Sequence, residues 1–531
     1  MLAFLVLLAT LATGEATVQS DGADGADGAV APIAPLAPAA PDPRDASDAP
    51  IAPIAPIAPI APLNTPLDEP VVRHPYLYTT LETALAIAVG AVWYLRHGSD
   101  ERWGRAMQWQ SWRRKLFTTD EITFDSDHFN TNAAGHPLDG TAYYQIARGN
   151  GLGPGASFVS SFLASMFWEY FVEIPENPSL NDLILTPTAG AIIGEATYRL
   201  GRYFSQSGSG AWRCGGALLF APVATLNEKP LCRPRPSVLP RARLGLAIGV
   251  NRAIFNGETS RDEFVFALGS EVVSHRAYER PGSGSVAVWP GQWTSLYGDG
   301  RFGPMRIDGV WFHANTVWGG RYDRRYVSVG DETDVPSGRP TRGWGTMLGL
   351  GSAFDYRLRD LPQVHDRIGS LGIGGPVFEL AARRDISFRL TLSAQYAFAI
   401  IGSIAYRDGY RSVIGQDIKT SLRYSGYYYG HGLVSAATTS LDLGPIGFTG
   451  AARGAWYWSI DEGDPAQSSI DRAVTLRDSR LYLSGAMWTR PAVGAFRFGI
   501  GVEYVRRASH MLDTSVYGTE LDLLATTAVG F

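Results

Sequence analysis

The segment ISFRLTLSAQYAF, residues 386–398, alternates without a break. Ile386, Phe388, Leu390, Leu392, Ala394, Tyr396 and Phe398 fall on one face, and Ser387, Arg389, Thr391, Ser393, Gln395 and Ala397 on the other. FRFGIGVEYVR, residues 496–506, repeats the pattern, with Phe496, Phe498, Ile500, Val502 and Tyr504 opposite Arg497, Gly499, Gly501 and Glu503. WGTMLGLGSAF, residues 344–354, sets Trp344, Thr346, Leu348, Leu350, Ser352 and Phe354 against a face of mostly glycine and alanine. Successive side chains of a strand point to opposite faces, so each segment is a strand with one apolar side. Strands this long, apolar on one face and small or polar on the other, predict a transmembrane antiparallel β-barrel over 241–531. A soluble sandwich has shorter strands and a charged outer face. Here the charges read as lying between strands, in RDEF, YRDGYR and DEGDPAQSSIDR. The spacing allows about 12 strands.

A helical module precedes the barrel, over 76–205. In SFVSSFLASMFWEYFVE, Ser161, Ser165, Glu169 and Glu173 are each four apart and form one polar stripe on an apolar helix. Pro175 and Pro178 end that helix, Ser179 stands at capping-box spacing from Asp182, and Thr186-Pro187 restarts a helix with Pro at its first position. Gly190 and Gly194 make a face that admits close packing, and Glu195 lies four before Arg199. Upstream, LYTTLETALAIAVGAVWYLRH is nearly long enough to span a bilayer, although Glu82 and three threonines interrupt it. ERWGRAMQWQSWRRKLF then mixes Trp103, Trp109 and Trp112 with Arg102, Arg105, Arg113, Arg114 and Lys115. That mixture suits a headgroup boundary, or a helix buried in the module with its arginines outside.

Composition changes the picture at the amino-terminal end. The chain has 531 residues, 45% hydrophobic and 18% charged, so it buries a large core. A net charge of −5 and the lack of a basic run exclude a nucleic-acid partner. MLAFLVLLATLATGEA, residues 1–16, reads as a signal peptide, although no Lys or Arg precedes its apolar run. An Ala/Pro-rich disordered linker, 17–75, contains APIAPIAPIAPIAPL, whose period of three suits a stiff polyproline II spacer. Capture of this arm by a proline-binding periplasmic partner is the second reading. A further linker, 206–240, carries the chain's 2 cysteines, Cys214 and Cys232. In an exported chain their pairing is expected, worth on the order of 3 kcal/mol. The end, TELDLLATTAVGF, puts Leu521, Leu523, Ala525, Thr527, Val529 and Phe531 on one face. A last strand closing on Phe531 looks like the signal read by the barrel assembly machinery of bacterial outer membranes.

The stretch HFNTNAAGHPLDGTAYYQIARGNG carries His136-Pro137, Gly140, Tyr143 and Arg148; further on come Trp168-Glu169, Glu173, the Ser179 and Asp182 pair, and Gly194-Glu195. On these residues the region 125–203 resembles the bacterial family called domain of unknown function 3943, found on exported proteins that go on to a barrel. The resemblance implies location and layout, not a reaction.

The candidate polar cluster is therefore His136, Arg148, Glu169, Glu173, Asp182 and Glu195. Buried acids between apolar helices pair with Arg or His and hold the packing, which is the preferred reading. Alternatively His136 with Glu169 and Glu173 binds a metal or serves as acid and base. No HExxH, no G-x-S-x-G and no phosphate-binding glycine loop is present, so no cofactor and no metal is expected. The expectation is an outer-membrane protein in contact with lipid, with a periplasm-side module that plugs the barrel mouth or lies against the inner leaflet. Its role is structural, or the handling of lipid or envelope components; a membrane-embedded hydrolase or acyltransferase and a pore are the alternatives.

Overall fold

A computed structural model describes residues 72–97, 109–118, 122–174, 176–206, 210–228, 241–304, 306–328, 341–361, 364–406, 419–460, 474–489, 496–512 and 514–530. Residues 1–16, read as a signal peptide, nearly all of the segment read as an Ala/Pro-rich linker, Cys232 and Phe531 lie outside the described residues.

The alternating segments become strands β1 (Arg241–Phe255), β2 (Thr259–Val273), β3 (Gly282–Val288), β4 (Trp293–Gly303), β5 (Arg306–Ser328), β6 (Thr341–Leu361), β7 (Val364–Arg383), β8 (Ser387–Gly402), β9 (Tyr427–Asp442), β10 (Ile446–Ser459), β11 (Leu476–Thr489), β12 (Phe496–Met511) and β13 (Thr514–Gly530). Every pairing is antiparallel. The sheet runs β5-β4-β2-β1-β13 and back through β12 to β6, and the β5–β6 pairing closes it. Twelve strands make the closed ring, which removes every edge within it. The short β3 extends the wall beside the far half of β5, past the end of β4.

The outward face is apolar: Leu348, Leu350 and Ile500 are 61%, 64% and 61% exposed. The inward face is not merely small. Arg359 reaches across from β6 to Glu263 of β2 and Glu520 of β13, each at 2.7 Å. Arg507 of β12 joins Asp366 of β7 at 2.7 Å and Glu520 at 2.6 Å, and Arg301 of β4 joins Asp522 at 2.6 Å. The charges of RDEF therefore do not lie between strands: Arg261, Asp262 and Glu263 are in β2, and buried Glu263 points into the lumen. A low-dielectric wall leaves such charges stable only when each meets a partner. Nearer the end that carries Arg241 and Gly530, the segment before β3 folds inward. Tyr278 packs there with Trp293, Tyr322, Met347 and Val377 and donates to Glu379 Oε1 at 2.9 Å. A polar cavity of about 460 Å³ in the lumen borders this plug, touching Trp293 and Glu379 on one side and His313 and Gln395 on another.

The module consists of α1 (Pro75–His97), α2 (Trp109–Phe117), α3 (His136–Gly149), α4 (Pro154–Phe167), α5 (Leu180–Gln206), α6 (Ala211–Phe220) and α7 (Pro222–Asn227). A final short helix, α8 (Thr420–Ser425), leads into β9. One π-helical turn (Thr131–Gly135) enters α3 and another (Trp168–Val172) extends α4. Helices α6 and α7 occupy part of the segment read as linker, and Cys214 on α6 is disulfide-bonded. Pro187 does not restart a helix; α5 begins at Leu180, capped by Ser179, and runs through it. The small face of α5 does bring helices close. A Cβ on Gly140 of α3 would overlap the Thr186 carbonyl oxygen, and one on Gly190 would overlap the Gly140 backbone.

The module neither plugs the barrel nor sits beneath it. Phe124, Phe129, Leu185 and Ile192 form one core with Phe354, Tyr356, Phe398, Tyr427 and Tyr429. On β6, Phe354 and Tyr356 alternate in step with the exposed Leu348 and Leu350, so these residues face outward. The module is packed on the outer wall, chiefly over β4 to β9. The lumen is crossed by the strands' own ion pairs, and the module's core contacts lie on the outer face instead.

Candidate functional site

Helix α5 passes through two buried polar centres. At its middle, Glu195 accepts from Arg148 Nε at 2.7 Å, Arg199 Nε at 2.7 Å and Tyr144 Oη at 2.8 Å. Arg148 is fully buried, donates Nη1 to the Leu152 carbonyl at 2.6 Å and lies over the Tyr198 ring at 4.2 Å. Arg199 reaches the barrel, donating to the Pro290 carbonyl at 3.2 Å. Burial works against a charge on Glu195, yet the two guanidiniums and the Tyr144 hydroxyl bring it down to about 2. Every oxygen of this carboxylate is used. The centre joins α3, α5 and the Pro290 carbonyl of the barrel.

The second centre lies at the start of α5. The stripe read on α4 is real for three of its four residues: Ser161 donates to the Gly140 carbonyl at 3.1 Å, Ser165 to the Asp182 carbonyl at 3.2 Å, and Glu169 Oε2 accepts from the Ser179 N–H at 2.7 Å. Glu173 leaves the stripe. The π-helical turn closes with a Glu173 N–H to Trp168 carbonyl bond at 3.0 Å, one residue longer than α-helical spacing, and this rotates Glu173 away. Its carboxylate accepts instead from Trp168 Nε1 at 2.8 Å. Lys115, from the run read as facing headgroups or as a helix buried in the module, is buried here and donates to the Glu173 and Glu176 carbonyls at 2.7 and 2.9 Å.

His136 opens α3, and its Nε2 stands 3.4 Å from Asp182 Oδ1. That distance exceeds a hydrogen bond, and Nε2 is buried without a hydrogen-bond partner. Asp182 Oδ1 accepts from Asn181 Nδ2 at 2.9 Å, and Asn181 Oδ1 accepts from the Asp125 N–H at 3.0 Å. The Asp125 carboxylate in turn accepts from Asn132 and from Tyr429 Oη, the latter at 3.1 Å. Tyr427 Oη donates to the Asp127 carbonyl at 2.8 Å. Burial first, then the Asp182 charge, pushes Glu169 up to about 8; burial and then Glu169 do the same to Glu173. Burial also raises Asp182 well above the usual carboxylate range. His136 is raised too, because the surrounding carboxylates outweigh the burial that opposes its charge.

The six sequence-derived residues therefore divide: Arg148 and Glu195 in a saturated ion-paired centre, His136, Asp182 and Glu169 in an acid-rich one, and Glu173 at its edge. Asp125, Asn132 and Asn181 complete the second centre, and β9 contributes Tyr427 and Tyr429. Asp125 carried no helical spacing to reveal it, and two tyrosines more than 200 residues beyond α5 signalled only a strand. No hydroxyl or thiol is hydrogen-bonded to His136 Nε2, so this nitrogen is not paired with a nucleophile.

Residues 121–223 match the family model described as Domain of unknown function (DUF3943), and the chain joins that region to the closed twelve-strand barrel. No curated protein matches the chain. Among solved structures it is similar to the translocator domain of autotransporter NalP from Neisseria meningitidis, at 9% identity over 55% of this chain and 88% of that one, with a TM-score of 0.19. OpdK of Pseudomonas aeruginosa, solved with vanillate, shows 10% identity over 55% and 99%, with a TM-score of 0.14. OmpT of Vibrio cholerae shows 7% identity over 55% and 99%, with a TM-score of 0.16. At such scores these likenesses carry no argument about this chain; the barrel rests on its own strand pairing.

Proposed function

We propose that this protein is an outer-membrane barrel that serves as a non-conducting scaffold, holding a helical module against its outer wall for the handling of lipid or envelope components. The observation that carries this reading is the core shared between the module and outward-facing strand residues. A barrel used as a channel keeps its lumen open, whereas this one spans its lumen with Arg359, Arg507 and Arg301 ion pairs. The apolar outer face supports a bilayer around the remaining strands. The module's own outer face is similar: Leu81, Leu85 and Val89 of α1 and Val159 and Leu163 of α4 are all exposed. Segment Pro75–Arg96 is long and apolar enough to cross a membrane by length and composition. The reading revises a module beneath the membrane to one that takes the place of lipid along the wall.

Outer-membrane lipids and the barrel assembly machinery are the partners this reading requires. Its test is fractionation combined with planar-bilayer recording. The protein should fractionate with outer membranes, migrate faster on gels unheated than boiled, and pass no steady current. A stable conductance from the full chain would replace the scaffold with a pore. Recovery in the soluble or inner-membrane fraction would remove the outer-membrane assignment. The hydrolase or acyltransferase reading has no specific observation in its favour, since His136 meets no nucleophile and Glu173 has turned away.

A further inference from the structure

The acid-rich centre differs from an ordinary buried ion pair in what it leaves unmatched. Asp125, His136 and Asp182 each offer one ligand atom, and these atoms lie within 4.8 Å of one another. Ligands around one cation at metal–ligand distances near 2.1 Å lie no more than about 4.3 Å apart, so only small rotations are needed. Three segments converge to make the set: the strand-like stretch before the π-helical turn, the first residue of α3 and the first turn of α5. A purely structural centre would use its imidazole nitrogen, as the neighbouring centre uses every oxygen of Glu195. Here His136 Nε2 is buried with no hydrogen-bond partner, facing Asp182 at 3.4 Å. Asn132, whose amide nitrogen bonds the Asp125 carboxylate, is fully buried, and its Oδ1 has no hydrogen-bond partner. Buried polar atoms are almost always satisfied, so an imidazole nitrogen left unbonded beside two carboxylates points to a missing partner that accepts a lone pair. A cation does so.

We infer that Asp125, His136 and Asp182 form a binding site for one divalent transition cation of the zinc or manganese type. One imidazole with two carboxylates suits borderline cations, whereas calcium and magnesium prefer sites built from oxygen alone. The surroundings hold the ligands in place. Asn181 bridges Asp125 and Asp182, and Tyr429 donates to Asp125, so outer partners orient both carboxylates. Because Tyr429 belongs to the barrel, cation binding would fasten the module to the outer wall. This inference goes beyond the scaffold reading and does not depend on where the protein resides.

The test uses the full chain extracted in detergent, with its folded state confirmed by heat-modifiable migration. Metal content is measured on protein as isolated. After dialysis against chelator, the thermal midpoint is followed with zinc, manganese or calcium ions added separately. About one bound transition cation per chain, or a rise in midpoint with zinc or manganese that calcium does not reproduce, supports the site. Asp182→Asn and His136→Gln should each lose that rise, while Glu173→Gln, outside the ligand set, keeps it. Folded wild-type protein with no bound metal and no response to zinc or manganese overturns the inference. So does a response of equal size in folded His136→Gln protein, or one confined to calcium.

Discussion

Strand β6 presents one continuous outward row, and its two halves have opposite fates. Leu348 and Leu350 are 61% and 64% exposed, while Phe354 and Tyr356, on the same face, are 2% and 1% exposed. Cover begins along a line of two bulges, between Val317 and Gly319 in β5 and between Gly372 and Gly374 in β7. The bare half is aliphatic, as a lipid contact requires. The covered half adds hydroxyls that find partners: Tyr356 donates to Asn130 Oδ1 at 3.0 Å, and Tyr429 reaches Asp125 at 3.1 Å. A barrel wall prepared for lipid needs no hydrogen-bond donors. One prepared for a helical domain uses them to fix where that domain sits.

The largest effect is expected on the covered side. Glu195→Ala would leave Arg148 buried without its carboxylate and cost about 3–5 kcal/mol. Denaturant unfolding of the module should show it, with Glu195→Gln milder. Phe354→Ala should cost about 3–5 kcal/mol through lost packing between module and wall. Leu350→Ala, only four residues earlier on the bare side, should stay within about 0.5 kcal/mol in detergent. Equal costs at the two sites would break the comparison. Tyr429→Phe removes one hydroxyl of the covered wall and should cost about 1 kcal/mol.

The same centres give a pH dependence with two limbs. Glu195 is held at about 2 against an ordinary 4.5, so its contribution is full above 4.5 and lost as pH falls towards 2. Glu173 is raised to about 8, so the folded state favours its proton; that contribution is full below 4.5 and lost as pH rises through 8. Thermal midpoints followed across pH should fall on both sides, and Glu173→Gln should lessen only the alkaline fall, the rest of which comes from Glu169, also raised to about 8.

Much of the barrel was legible because its alternation is local. Ser387–Gly402 and Phe496–Met511 are strands in the phase their residues predict, and about 12 strands close the ring. The helix spacing likewise located Ser161, Ser165 and Glu169 on one stripe. Three things were hidden. The π-helical turn that displaces Glu173 leaves no periodic mark, and Pro187 looks like a helix start although α5 absorbs it. Glu263 of β2, taken for part of a loop, is a lumen residue whose partner Arg359 is distant in sequence. Nor did alternation distinguish the covered wall from the bare one, because Phe354 suits lipid and a protein core equally well. Asp125 joined the centre only through contacts that depend on the docked module.

The placement of the module on the outer wall can be tested with paired cysteines. A Cβ added at outward-facing Gly369 would lie 2.7 Å from the Ala133 Cβ, so a small shift gives disulfide distance. Ser370, the next residue, points into the lumen, where its hydroxyl accepts from Tyr457 at 2.9 Å. In isolated membranes, Ala133→Cys with Gly369→Cys should cross-link on oxidation and shift on a denaturing gel, while Ala133→Cys with Ser370→Cys should not. Cross-linking through position 370 but not 369 would put the module inside the barrel and contradict this account.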